Sequence, residues 1–137
     1  MRPAASPTTK EALRVFLVED LQRMRGLLTE LFDSIGFHVV GSAVTEAEAN
    51  LWLDDHPGGW DLAVVDLVLE QGAGMNVIRH CGRNPARGRV VVFSSYASPG
   101  VRQHCLDLGA DAVFDKDDTG GFIAWCSQLR QASPGAP

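Results

Sequence analysis

Apolar and polar positions alternate between two periods along this chain, and the alternation predicts its elements. "LRVFLV" (13–18) is a short unbroken apolar run of strand length. Met24, Leu27, Leu28, Leu31 and Ile35 then recur at three- and four-residue spacing, one face of a helix, and Gly36 stands where a C-terminal cap belongs. "FHVVGSA" (37–43) reads as a second strand. Thr45 and Glu48 have capping-box spacing and open a helix through Ala49 and Leu53, which "HPGG" (56–59) stops. "DLAVVD" (61–66) is a third strand, "LVLEQGAG" a loop, and Met75 to about Gly82 a helix. "RVVVFS" (89–94) is a fourth strand, and Ser98-Pro99 starts a helix that ends near Gly109. "DAVFD" (111–115) is a fifth strand, after which Thr119 is expected to cap a last helix with an inner stripe of Phe122, Trp125, Cys126 and Leu129.

Five strand–helix units follow, and the strands lack polar alternation. Strands of that kind are covered on both faces, as in a parallel sheet. The fold class is therefore α/β: a flavodoxin-like, doubly wound, five-stranded parallel sheet of order 2-1-3-4-5, with helices on both faces. One domain is expected over residues 12–131. Residues 1–11, rich in Pro, Ala, Ser and Thr, and the tail 132–137 are expected to be disordered.

Composition narrows the function classes. The chain has 137 residues and a formal net charge of −5, which disfavours binding to a phosphate backbone; no direct DNA binding is expected. The nearest basic patch is Arg79, Arg83, Arg87 and Arg89, a solvated face on the simplest reading and a docking patch for an acidic partner on the other. No apolar stretch approaches the roughly 18 residues of a membrane span, and the N-terminus lacks the apolar core of a secretory signal. Three cysteines, Cys81, Cys105 and Cys126, without C-x-x-C spacing suit reduced thiols and a cytoplasmic setting. The two His-Cys pairs, 80–81 and 104–105, lack the spacing of a zinc site.

The polar residues at the strand ends carry the chemistry. In a doubly wound sheet the site lies at the C-terminal ends of the strands. Strand one ends in Glu19-Asp20, strand three in Asp66, strand four in Ser94-Ser95, and strand five near Lys116. Lys116 stands out because the chain has ten arginines and only one other lysine, Lys10, in the N-terminal tail. Two carboxylates about 4 Å apart repel by roughly 4 kcal/mol at an effective dielectric near 20. A hard divalent cation such as Mg²⁺, with oxygen ligands, relieves that repulsion, and Lys116 adds a second positive charge. Carboxylates, a metal, a hydroxyl and a lysine together suit phosphoryl transfer to an aspartate.

With these residues in place, the sequence resembles the receiver domains of two-component response regulators over roughly residues 13–131. The matching pieces are "VFLVED", "DLAVVDLVLEQGAG", "RVVVFSSYAS" and "CLDLGADAVFDK". The resemblance implies that Asp66 is the phosphoacceptor. It implies that Glu19, Asp20, Asp66 and the backbone carbonyl of Val68 hold Mg²⁺. Ser94 matches the hydroxyl that bonds the phosphoryl group and draws the next loop inward, Lys116 the lysine that pairs with that group, and Gly74 the glycine closing the loop. A receiver is a signalling switch and not a conventional enzyme, catalysing only its own phosphorylation and dephosphorylation. The phosphoryl donor is then a histidine kinase or histidine phosphotransfer protein, docking near the helix that starts at Leu21, and the output is a downstream protein partner. Monomer and phosphorylation-dependent dimer both fit.

Three positions depart from the usual receiver pattern. Asp117 stands where Pro is common; a trans bond and an altered loop are expected, because a non-proline cis bond costs about 2.5–4 kcal/mol. Val113 replaces a frequent aromatic, and Phe114 is no substitute because strand side chains alternate faces. Glu70 replaces a frequent Pro. The first two bear on how the switch is read out, and leave open a degenerate receiver that binds partners independently of phosphorylation. A flavodoxin is disfavoured because "EDLQ" after strand one would repel a phosphate. A haloacid-dehalogenase-type phosphatase is disfavoured because its D-x-D is missing after Asp66. The initial Met and the tail-like ends favour a self-standing chain over a fragment.

Overall fold

In a computed structural model that describes residues 12–131, five strands and five helices alternate. They are β1 (Arg14–Val18), α1 (Gln22–Ser34), β2 (His38–Ala43), α2 (Glu46–Asp55), β3 (Leu62–Val65), α3 (Gly74–Gly82), β4 (Arg89–Ser94), α4 (Pro99–Leu108), β5 (Ala112–Asp115) and α5 (Thr119–Gln131). The sheet is wholly parallel with order β2-β1-β3-β4-β5, as the apolar runs require. The two expected tails, 1–11 and 132–137, lie outside the described residues.

Strand alternation divides the core into two layers. Ala63 and Val65 of β3 face a cluster with Ala49 and Leu53 of α2, Val77, Ile78 and Cys81 of α3, and Cys105 of α4. Leu62 and Val64 face the other side, with Leu28 and Phe32 of α1 and Phe122 and Cys126 of α5. Val113 falls in the first layer and Phe114 packs against the second, so the two neighbours point to opposite faces. Phe122 anchors the second layer, stacked on Phe93 at 4.1 Å between ring centroids. The thiols of Cys81 and Cys126 are pushed up to about 12 by burial, and all three cysteines are free and buried.

The helix ends show where local sequence chemistry prevails. Thr45 Oγ1 accepts from Glu48 N–H at 3.1 Å, and Glu48 Oε1 accepts from Val44 N–H at 3.0 Å. Ser98 caps α4, and Gly109 closes it at φ 118°. Two expectations shift. The cap of α5 is Asp118, whose Oδ1 accepts from Gly121 N–H at 3.0 Å, while Thr119 is already helical. On α1 the buried stripe runs through Leu28 and Phe32, and Leu27 is exposed. Among the described residues no helix is long and apolar enough to cross a membrane.

Candidate functional site

Parallel pairing carries the polar strand ends to one edge of the sheet. Just beyond β1, Glu19 N–H bonds to Ala43 O at 3.0 Å; just beyond β3, Asp66 N–H bonds to Val18 O at 2.9 Å. Lys116 N–H bonds to Ser94 O at 3.2 Å, which sets the start of the β5–α5 loop beside the end of β4. Among the described residues, the buried polar or charged ones are Glu19, Asp66 and Ser94. All three lie at the C-terminal ends of strands, where burial of a charge is costly unless it is paired.

Lys116 supplies the pairing. Its ammonium donates to Glu19 Oε1 at 2.8 Å and to Asp66 Oδ2 at 3.0 Å. Glu19 Oε2 accepts from Leu21 N–H at 3.1 Å, and the Glu19 carbonyl accepts from Arg25 Nη1 at 2.8 Å. Burial raises the Glu19 carboxyl above its ordinary range, against the hydrogen bond from Lys116. Burial by itself would lower the Lys116 ammonium; its hydrogen bonds to Glu19 and Asp66 outweigh that and raise it.

Glu19, Asp20 and Asp66 each offer a carboxylate oxygen, and these atoms lie within 4.8 Å of one another. An all-oxygen set with concentrated negative charge suits a hard cation that prefers oxygen, so the donor chemistry fits Mg²⁺. Among the described residues this acidic set is the group with metal-ligating geometry, and the His-Cys pairs form none. His80 instead pairs with Asp54 across α2 and α3 at 2.7 Å. Within the basic patch, Arg87 pairs with Asp111 at 2.8 Å and Arg79 donates to Asn76.

The remaining expected residues take definite places. Ser94 is buried, and its hydroxyl accepts from Tyr96 N–H at 3.3 Å. Val68 lies two residues past Asp66, with its N–H 3.5 Å from Asp66 Oδ1. Gly74 begins α3 against the backbone of Asp66, and a Cβ there would overlap the Asp66 carbonyl oxygen. The described residues contain no cis peptide bond, so Lys116–Asp117 is trans. The loop after Lys116 is held by Asp115, whose Oδ1 accepts from Asp117 N–H at 2.8 Å and whose carbonyl accepts from Asp118 N–H at 2.8 Å. Two residues at the site had no local signal in the sequence: Arg25, bonded to the Glu19 carbonyl, and Glu46, bonded to the loop after Asp66.

Residues 15–121 match the model of the response regulator receiver domain. A gliding motility regulatory protein of Myxococcus xanthus is 31% identical over 121 residues, covering 87% of this chain and 15% of that protein. The chain spans about half the length of two further curated relatives, 52% and 54%. Among solved structures, a CheX–CheY–BeF3–Mg²⁺ complex from Borrelia burgdorferi superposes with TM-score 0.78 at 20% identity, over 88% of this chain and 90% of that one. A response regulator from Burkholderia pseudomallei, with a phosphorylated aspartic acid, a calcium ion and citrate, superposes with TM-score 0.72 at 22% identity, over 91% and 75%. These two likenesses bear on the fold.

Proposed function

The chain belongs to the response regulator receiver domain family, and on that premise we propose that it is a switch driven by phosphorylation of Asp66. What supports this reading most is one observation. The buried polar residues among those described all sit at the strand ends, and Lys116 bridges two of them.

An Asp66 carboxylate oxygen attacks the phosphorus of a phosphohistidine on a partner. The new P–O bond forms as the P–N bond breaks, and the electron pair returns to the imidazole nitrogen, which takes up a proton. Glu19, Asp20, Asp66 and the Val68 carbonyl would hold Mg²⁺, which when bound neutralises charge on the transferring group. Lys116 carries three N–H donors and already reaches Asp66 Oδ2 at 3.0 Å, so its ammonium is at hand for phosphoryl oxygens. The phosphoryl group carries about −1.5 to −2 charge, while the Asp66 carboxylate gives up its own negative charge on forming the new bond. Ser94 leaves the Tyr96 N–H and donates to a phosphoryl oxygen, drawing the β4–α4 loop inward. Hydrolysis resets the switch.

The receiver unit comprises residues 12–131 and works in the cytoplasm, as a monomer or as a phosphorylation-dependent dimer, without contacting DNA. A histidine kinase or phosphotransfer protein docks near the start of α1, where Leu21 and Leu27 are exposed. The output is a downstream protein. In the Borrelia relative, CheY is complexed with CheX. Here the output side is read without an aromatic at Val113, which is fully buried.

The test is intact-mass spectrometry after incubation with Mg²⁺ and acetyl phosphate, and separately with a phosphohistidine donor, beside Asp66→Asn. A gain of one phosphoryl mass that needs Asp66 is expected. No such gain with either donor would replace this reading with a phosphorylation-independent binding module.

A further inference from the structure

The loop from Leu67 to Ala73 leaves Asp66 and returns to α3 by a short path. Leu67 and Leu69 are buried in the core while Val68 between them is exposed. Gly74 N–H bonds to Leu67 O at 3.0 Å, and Val68 pairs with Ala73 as an antiparallel bridge. The loop is thus closed on itself near Asp66, and the backbone of Val68 lies against that of Ala73.

Ala73 is the N-cap residue of α3, and its methyl group cannot accept a hydrogen bond from the helix. A carboxylate from another helix is found beside it. Glu46 Oε1 accepts from Ala73 N–H at 3.0 Å and from Asn76 Nδ2 at 3.1 Å. Glu46 N–H donates to Gln71 O at 3.1 Å, and Thr45 pairs with Gln71 in a parallel bridge. Gly72 makes the approach possible. Its φ is +87°, and an added Cβ would overlap the Glu46 side chain. An anionic group near a helix N-terminus is also favoured by the helix dipole.

We propose that Glu46 is a positioning residue of the phosphoacceptor site: it clamps the loop after Asp66 to α2 and so holds the Val68 backbone in place. The inference rests on the receiver reading, in which the Val68 carbonyl is a metal ligand. The route is short, from Glu46 to Ala73 and from Ala73 to its bridge partner Val68. A backbone ligand on a loop has no side-chain freedom to correct its aim, so its position is set by what holds the loop. Loss of the partners that orient metal ligands typically weakens metal binding by about 10–100-fold. The carboxyl of Glu46 is held below its ordinary range by the Ala73 N–H and then the Asn76 amide, so the acceptor is ionised at neutral pH.

The test compares Glu46→Ala, Glu46→Gln, Asn76→Ala and Glu48→Ala with the wild type, using calorimetric Mg²⁺ titration and amide hydrogen exchange over residues 67–73. Glu46→Ala should raise the Mg²⁺ Kd about 10-fold and speed exchange in the loop. Glu46→Gln retains an oxygen that accepts both bonds and should restore both readouts. Glu48→Ala loses the side-chain bond to Val44 N–H at the start of α2 without touching the loop and should leave the Kd unchanged. Asn76→Ala removes one of the two donors and should weaken binding less than Glu46→Ala; it carries the test if that variant does not fold. Wild-type Mg²⁺ affinity in folded Glu46→Ala, or in Asn76→Ala where Glu46→Ala does not fold, would overturn the clamp alone. So would Glu46→Gln as weak as Glu46→Ala, or Glu48→Ala with the same loss. A wild type that binds no Mg²⁺ would overturn the receiver chemistry and the clamp with it.

Discussion

Lys116 Nζ lies 2.8 Å from Glu19 Oε1, closer than to Asp66 at 3.0 Å, so the lysine is shared between a metal-ligand candidate and the proposed phosphoacceptor. One ammonium faces two buried carboxylates, with Asp20 beside them. Three carboxylates against one ammonium leave the metal-free site with excess negative charge. That imbalance has consequences for stability as well as for chemistry.

Removing a carboxylate should stabilise the metal-free protein. Asp66→Asn keeps the shape, leaves an oxygen for Lys116, and deletes one of three like charges. At an effective dielectric near 20, each of the two like-charge pairs lost, with Glu19 and with Asp20, costs roughly 4 kcal/mol at about 4 Å, and the stronger Lys116 attraction at 3.0 Å, lost with them, offsets most of that sum. A net gain on the order of 1 kcal/mol is expected in urea denaturation with chelator present. With Mg²⁺ added, the wild type should recover more than the variant. Equal stability of the two proteins in chelator would argue against an unbalanced site.

The same imbalance gives a pH dependence. Glu19 has a folded-state pKa above its ordinary value of 4.5, chiefly through burial. The folded state therefore binds the proton more tightly than the unfolded one. Its contribution to stability is present below about pH 4.5 and is lost as pH rises through the raised folded value. Metal-free wild type should lose stability across that window more steeply than Glu19→Gln. Lys116 acts at the other end: its stabilisation is present below 10.5 and disappears as pH climbs through its raised folded pKa. Chelator-containing melts at a series of pH values check both slopes.

Lys116→Arg tests why the chain uses lysine here. An ammonium is compact and can donate in three directions, whereas a guanidinium is planar, larger and fixed in its fork. The side chain is 14% exposed, which leaves little room for the added atoms. The variant should fold, since the charge is kept, yet fail to give the amide shift changes in the β4–α4 loop that are expected of the wild type under phosphodonor. Wild-type shift changes in Lys116→Arg would remove Lys116 from the switch.

How far the sequence could be read depended on the range of the interaction. Strand order and the strand-end residues were legible because unbroken apolar runs such as "DLAVV" mark buried parallel strands, and the next polar residue marks the end. The α1 stripe was not, because Leu27, Leu28 and Leu31 fit two neighbouring faces equally well until Phe32 packs against Phe37 and Phe122. Asp118 and Thr119 are adjacent residues of similar capping preference, and only the loop geometry selects Asp118. Glu46 stands 27 residues from Ala73 in the chain, so the contact that makes it important has no local pattern. Arg25 reads as an ordinary helix-surface arginine until its guanidinium is seen on the Glu19 carbonyl.

The loop after β5 gives a prediction opposite to what family habit suggests. Restoring the common proline with Asp117→Pro should destabilise this chain. Asp117 N–H donates to Asp115 Oδ1 at 2.8 Å, and proline has no N–H to donate. Proline also restricts the residue before it, which here is Lys116. The lost bond is worth about 1 kcal/mol, and any shift of the Lys116 backbone would loosen its contacts with Glu19 and Asp66. Asp115→Ala removes the same bond from the acceptor side. The double variant should therefore cost less than the sum of the two single variants, a coupling that urea denaturation of all four proteins measures. Strict additivity would mean that the Asp115–Asp117 bond does not hold the loop.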